Sequence, residues 1–143
     1  MSAATADRAW LAANLPHRGA MNLLDAVLEW DAASLRARVR NHRDPGHPLR
    51  REGTLPIAAG IEYGAQAAAA HGAIASHAPS GAGMIASVRG VRFNSPRLDD
   101  VAGDLEVRAE QLGSGEAGVL YRFELRGAGR ILVEGRLTVA FAR

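Results

Sequence analysis

The chain has 143 residues, of which 48% are hydrophobic and 22% are charged, as is typical of one folded globular domain rather than a disordered segment. It contains no cysteine, which excludes disulfides, thiolate nucleophiles and cysteine zinc sites. The net charge is only +2 with no dense basic run, so nucleic-acid binding is not expected, and no segment approaches the roughly 20 apolar residues of a membrane span.

The first half of the chain predicts one short helix and two strands. Residues 7–15 have apolar positions at helical spacing, with Asp7 as a cap and Pro16 as a stop signal. Residues 23–30 are apolar enough for a strand. Residues 34–40 alternate apolar residues with arginines, which predicts a strand with one solvated face.

A long loop and a central helix follow. Residues 41–54 are rich in Pro, Gly, His and Arg, and a loop of this length is expected to be functional or to contact a partner. Small and apolar residues then run to about residue 75. We predict a buried helix over about residues 56–75, with Pro56 in its first turn and Thr54 as a cap.

The remainder of the chain predicts strands. Alternating apolar and charged residues, separated by the glycine-rich turns 113–115 and 127–129, are typical of antiparallel hairpins. Gly90 predicts a bulge in the first of these strands. The order of two strands, a helix and four strands predicts an α+β fold, an antiparallel sheet wrapped around one helix. The four strands are expected at residues 84–93, 105–110, 119–126 and 131–141.

One acid stands out in the predicted helix. Glu62 lies near the start of an alanine-rich, almost uncharged segment. An unpaired buried carboxylate costs several kcal/mol or becomes protonated. Glu62 is therefore either held in a structural contact or placed at the wall of a site that uses an acid.

Two segments resemble the signatures of one enzyme family. Residues 15–29 read LPHRGAMNLLDAVLE, which is similar to the N-terminal signature of the 3-hydroxyacyl-(acyl carrier protein) dehydratases of fatty acid synthesis. Residues 56–67 read PIAAGIEYGAQA, which resembles the central-helix signature of that family, where a catalytic Glu is followed by x-x-Ala-Gln. The resemblance implies the hot-dog fold, one hot-dog domain over residues 1–143 and a dimer.

The resemblance also implies a reaction and its residues. Dehydration needs a base for the α-proton, a donor for the leaving hydroxyl and stabilisation of the enolate oxygen. Glu62 corresponds to the residue that serves the hydroxyl end, and the start of the helix is expected to stabilise the enolate through free N–H groups. His17 is the second catalytic candidate. Gly60, Gln66 and His42 are the substrate-binding candidates, and no metal or other cofactor is expected.

The family's second catalytic group is missing at its usual place. That group is a histidine in a Gly-His-x-Pro-Gly turn about 14 residues before the Glu, where this chain has Pro48. The chain resembles a subgroup that lacks this histidine, some members of which are encoded in aryl-polyene clusters beside a second hot-dog dehydratase. His17, His42 or His47 could replace it, or a partner could supply it.

Structural roles remain open for each of these residues. His42 and His47 could be solvated or structural, His17 could stabilise a turn, and His71 falls on the helix face opposite Glu62. Arg50 and Arg51 could meet an acidic carrier protein or be solvated.

Three functions are compatible with the sequence. The first is dehydration of 3-hydroxyacyl-(acyl carrier protein) thioesters in fatty acid or polyene synthesis, by a homodimer or as half of a heterodimer. The second is a non-catalytic hot-dog subunit that completes a partner dehydratase. The third is a thioesterase, which the N-terminal signature disfavours. We expect a cytoplasmic location because residues 1–6 lack a signal-peptide pattern.

Overall fold

A computed structural model describes residues 6–15, 19–76 and 84–140. The short N-terminal helix is confirmed as α1, Arg8–Asn14, and the Asp7 carboxylate accepts the Trp10 N–H at 3.0 Å. A single 3₁₀ turn, Gly19–Met21, then leads towards the sheet. Across the described ranges no helix is long and apolar enough to cross a membrane.

Six strands, numbered β1 to β6 along the chain, span Ala26–Trp30, Ser34–Val39, Met84–Phe93, Leu105–Gly115, Gly118–Gly127 and Arg130–Ala140. They form one antiparallel sheet in the order β1-β2-β4-β5-β6-β3. All the predicted strands are confirmed, although β1 is shorter than expected. The predicted bulge at Gly90 is confirmed in β3. The β4–β5 turn lies at residues 116–117, because the predicted glycine turn at 113–115 is still paired in the ladder.

The central helix, α2, spans Ala59–Ser76 and begins three residues later than predicted. The N–H groups of residues 59, 60 and 61 donate to the carbonyls three residues earlier, at 3.0, 2.9 and 3.1 Å. This tighter turn occupies residues 56–58 and delays the first α-helical turn. The predicted cap at Thr54 is wrong, because its backbone pairs with Arg51 in a separate turn.

Two glycines allow α2 to lie close to the sheet. A Cβ on Gly60 would come within 2.6 Å of the Val133 side chain, and one on Gly64 within 2.6 Å of the Phe123 ring. Val133 and Phe123 are fully buried on β6 and β5. The sheet side of the helix therefore has no room for larger residues at these two positions.

Strand β3 lies at one edge of the sheet and is the least covered. The helix packs mainly over β2, β4, β5 and β6. Ile85, Val88 and Phe93 are 37%, 38% and 48% exposed. In the ladder these three residues pair with buried residues of β6, so they point to the same inner face as the core. We call them the β3 inner face.

Candidate active site

The candidate site is built around Glu62 and Gln66, one turn apart on α2. Gln66 is fully buried and Glu62 is half-buried. The Gln66 side-chain oxygen accepts the N–H of Leu23 at 2.8 Å, and its nitrogen donates to the Met21 carbonyl at 2.7 Å. The same nitrogen lies 3.3 Å from Oε1 of Glu62.

These contacts fix the orientation of the Gln66 amide. A backbone N–H can bond only to the amide oxygen, and a carbonyl only to the amide nitrogen. The nitrogen must therefore face Glu62 as a donor. Gln66 thus orients the Glu62 carboxylate, as the spacing of the two residues predicted. It also ties α2 to the segment that precedes β1.

The segment before β1 is also held from its other side. The Arg8 guanidinium donates to the Leu24 carbonyl at 2.9 Å and to the Asn22 carbonyl at 3.2 Å. The side-chain oxygen of Asn22 is buried without a hydrogen-bond partner among the described residues. His17 lies outside the described residues, so its catalytic role stays a prediction.

Gly60 and the start of α2 differ from the expected enolate-binding site. The N–H of Gly60 donates to the Ile57 carbonyl, and the N–H groups of Ala59 and Ile61 are likewise engaged within the turn. These three donors are therefore not free in this conformation. The α-carbon of Gly60 faces Val133 of the sheet, which gives the glycine a packing role, and its substrate-binding role stays a prediction.

His42 lies in the interior, bonded to another loop. It is 1% exposed, and its Nε2 lies 2.9 Å from the carbonyl of Val101. Because a carbonyl only accepts, Nε2 carries the proton. Burial lowers the pKa of His42, so the neutral ring is favoured. The contact is structural, and the predicted contact with substrate stays a prediction.

His47 is part of a buried hydrogen-bonded chain rather than a solvated loop. Its Nδ1 accepts the N–H of Leu49 at 3.1 Å, so Nε2 carries the proton and donates to the Tyr63 hydroxyl at 2.9 Å. Tyr63 in turn donates to Asn41 at 2.7 Å. Burial lowers the pKa of His47 and raises that of Tyr63. These hydrogen bonds tie the loop of residues 41–54 to α2.

His71 also has both ring nitrogens engaged. Nε2 donates to the carbonyl of Asp31 at 3.0 Å, so Nδ1 accepts from the Tyr121 hydroxyl at 2.9 Å. Burial raises the pKa of Tyr121 to about 12. His71 therefore links α2 to β5 and to the β1–β2 turn, a structural role that spacing along the helix did not reveal.

The histidines that the structure describes thus share one property. His42, His47 and His71 are all buried, and each bonds through its ring to residues other than Glu62. Nδ1 of His42 is buried without a hydrogen-bond partner among the described residues. Each is committed to a contact that holds the fold together.

Loop residues hold the chain just before α2. Asp99, which sequence reasoning did not single out, accepts the N–H of Leu55 at 2.8 Å and the Nε of Arg97 at 3.1 Å. Arg97 holds the pKa of Asp99 well below its ordinary value. Arg50 donates to two loop carbonyls at 2.8 Å, so it braces its own loop, whereas Arg51 is exposed.

A metal centre finds no support in the described part of the chain. No group of three or more His, Asp or Glu side chains is placed there to hold a metal ion. The chemistry that the arrangement can offer is proton transfer by Glu62, whose carboxylate is oriented in a half-buried setting.

The fold and the placement of Glu62 define a class. The six-stranded antiparallel sheet wrapped around a central helix is the hot-dog fold, and Glu62 lies on that helix. The chain belongs to the ApeP-like dehydratase family, whose model matches residues 10–142. A search of curated protein sequences found no significant match.

Solved structures agree with this assignment. A chain of the dehydratase heterocomplex ApeI:P from Xenorhabdus doucetiae is 28% identical, with a TM-score of 0.76 over 90% of this chain and 88% of that one. AziG from S. sahachiroi is 19% identical, with a TM-score of 0.59 over 86% and 93% of the two chains. A thioesterase from Haemophilus influenzae is 12% identical, with a TM-score of 0.60 over 82% and 78%. The last two show the fold alone.

Proposed function

We propose that this protein dehydrates 3-hydroxyacyl-(acyl carrier protein) thioesters to 2-enoyl thioesters in polyene or fatty acid synthesis, as one half of a heterodimer with a second hot-dog protein. The observation that carries the proposal is the Glu62 carboxylate, oriented by Gln66 on the central helix. We place the reaction in the cytoplasm. No cofactor is required, because dehydration needs only proton transfers.

Glu62 would act at the hydroxyl end of the substrate. A base removes the α-proton from C2, and the electron pair of the broken C–H bond forms the double bond between C2 and C3. The bond between C3 and the hydroxyl oxygen breaks as Glu62 gives its proton to the departing hydroxyl, which leaves as water. General acid catalysis of this kind typically contributes about 10²–10⁴-fold to the rate.

The need for a base favours a partner protein. His42, His47 and His71 are engaged elsewhere, which leaves His17 or a residue of another chain. The 28% identical relative from Xenorhabdus doucetiae was solved as part of a dehydratase heterocomplex. A partner hot-dog protein that brings its own histidine to Glu62 would complete the site.

Strand β3 supplies a suitable surface for that partner. It is an edge strand of ten residues, and no other described strand pairs with its outer side, so its backbone groups can pair with a strand of another chain. The β3 inner face adds exposed apolar side chains directly beside that edge. Association along β3 would continue the sheet and cover these side chains together.

The second candidate is a non-catalytic subunit. The engaged N–H groups of residues 59–61 favour it, because a dehydratase must stabilise an enolate oxygen. In this case the chain would stabilise an active partner without using Glu62. Thioester hydrolysis has less support, since the thioesterase neighbour shares only the fold.

Reconstitution tests the proposal. The purified chain, a candidate partner hot-dog protein and their mixture are each incubated with 3-hydroxyacyl carrier protein, and water loss is followed by mass spectrometry. We expect the mixture to be far more active than either chain alone. Equal activity of the partner alone and of the mixture would overturn the proposal, and release of free acid would indicate a thioesterase.

A further inference from the structure

A groove lies on the outer face of the sheet, away from α2. It has a volume of about 720 Å³ and is lined by β3, β5, β6 and the β4–β5 hairpin. Its β6 residues, Arg136 and Thr138, alternate with the buried Leu137 and Val139, so they point outwards. The sheet therefore separates the groove from the helix that carries Glu62.

The groove contains two arginines placed side by side. Arg89 of β3 pairs directly with Arg136 of β6, and Arg136 pairs with Arg122 of β5. Arg122 reaches Glu110 at 3.4 Å, whereas Arg89 and Arg136 have no ion pair within the described ranges. Like charges directly opposite in a sheet are destabilising. An anion between them would remove that repulsion.

In the neighbouring row of the same face, the arginines of β4 and β3 are compensated by acids. There the register places Arg108 opposite Glu124 and Glu134 opposite Arg92. Each of these two arginines therefore has an acid directly opposite it, although Glu124 and Glu134 also lie opposite each other. The row of three arginines has no such compensation at its β3 end.

The remaining lining suits a phosphate group. Ser87 pairs with Thr138 across β3 and β6, and Ser114 lies in the hairpin, so hydroxyl donors flank the two guanidinium groups. Three phosphate oxygens can accept more hydrogen bonds than a carboxylate, and guanidinium binds them in a bidentate manner. Glu116 is the acidic residue of the lining, and it makes no ion pair with either arginine in the described structure.

We propose that this groove binds the phosphate group of a phosphate ester, with Arg89 and Arg136 as its charged ligands. The volume is that of a small-molecule site, so the ester carries an organic part that lies along Leu120 and Ala117. The phosphate could belong to a free coenzyme or to the prosthetic arm of a carrier protein. Neither source requires Glu62, so the site is independent of the proposed reaction.

Calorimetric titration of the purified chain tests this site. The probes are inorganic phosphate, coenzyme A, and a carrier protein with and without its phosphopantetheine arm. We expect saturable binding of coenzyme A that weakens about tenfold or more in Arg89→Gln and Arg136→Gln, with partial recovery in Arg136→Lys. Arg108→Gln, on the same outer face but outside the groove, should bind as the wild type does.

The outcomes distinguish the two sources of the phosphate and show whether the site exists. Tighter binding of coenzyme A indicates a free coenzyme, and binding of the carrier only when it bears its arm indicates the prosthetic group. Absence of saturable binding, or equal weakening by Arg108→Gln, would overturn the site. Circular dichroism confirms folding of each variant, and dehydration by Arg136→Gln in the mixed complex should remain unchanged.

Discussion

The amide nitrogen of Gln66 lies 3.3 Å from the carboxylate of Glu62 and also donates to the Met21 carbonyl, while the amide oxygen accepts the N–H of Leu23. One buried side chain therefore couples the acid to the segment that leads into β1. Any movement of that segment would change the position of the carboxylate. The catalytic candidate and the N-terminal signature thus form one unit.

Gln66→Leu should weaken both stability and activity. The change leaves the Leu23 N–H and the Met21 carbonyl without partners in the interior, and we expect a loss of about 1–3 kcal/mol in unfolding free energy. Urea denaturation measures it. Gln111→Leu, on a half-exposed strand position, should change stability by less than about 0.5 kcal/mol. Equal losses in the two variants would contradict the account.

Gly64→Ala should destabilise the protein although alanine favours helices. The new Cβ would lie 2.6 Å from the buried Phe123 ring, and such overpacking costs about 1–3 kcal/mol against a helix gain of about 1 kcal/mol. Thermal unfolding measures the net change. Gly115→Ala adds a Cβ where nothing lies within 4 Å and should not lower the melting temperature. A more stable Gly64→Ala variant would show that the helix is not packed this closely.

Acidification should destabilise the fold through its buried histidines. Burial lowers the pKa of His42 and of His47 below the ordinary value. Between that lowered value and about pH 6.5 the unfolded chain binds protons that the folded chain does not. The contribution of these two neutral histidines to the free energy of unfolding is therefore fully present above about pH 6.5 and is lost as the pH falls.

The pH dependence can be assigned by substitution. We expect His47→Gln to lose less unfolding free energy than the wild type between neutral and mildly acidic pH, because one of the two groups no longer titrates. Urea denaturation at both pH values measures the slope. An identical slope in the variant would exclude His47 from this effect.

Val88→Asp should prevent association with the partner. Val88 is 38% exposed on the β3 inner face, and a carboxylate there would be buried without a counter-charge in the complex. Light scattering of the mixture measures association. Leu112→Asp changes a residue on β4 that is 40% exposed and should leave the complex intact. Complex formation by Val88→Asp would place the interface elsewhere.

Local sequence patterns were enough to predict most of the fold. Alternation predicted the strands, Asp7 marked the first helix, and Gly90 marked the bulge, because each depends on residues close in sequence. The start of α2 was predicted three residues early. It depends instead on a 3₁₀ turn and on contacts from the distant residues Asp99 and Pro96.

The site was less accessible to sequence reasoning. Spacing predicted that Gln66 faces Glu62, but not that it bonds to Met21 and Leu23, more than 40 residues away. The roles of His47 and His71 depend on tyrosine hydroxyls and backbone groups brought near by the tertiary fold. The catalytic role of Glu62 and His17 stays a prediction.

The central claim is that Glu62 donates the proton to the departing hydroxyl. The direct measurement is the rate of water loss from 3-hydroxyacyl carrier protein by the mixed complex containing Glu62→Gln, with Glu134→Gln as a matched control on the outer face of the sheet. We predict that Glu62→Gln lowers the rate about a hundredfold or more without loss of the complex, and that Glu134→Gln leaves it unchanged. A Glu62→Gln complex as active as the wild type would contradict the account and would leave the chain a non-catalytic partner.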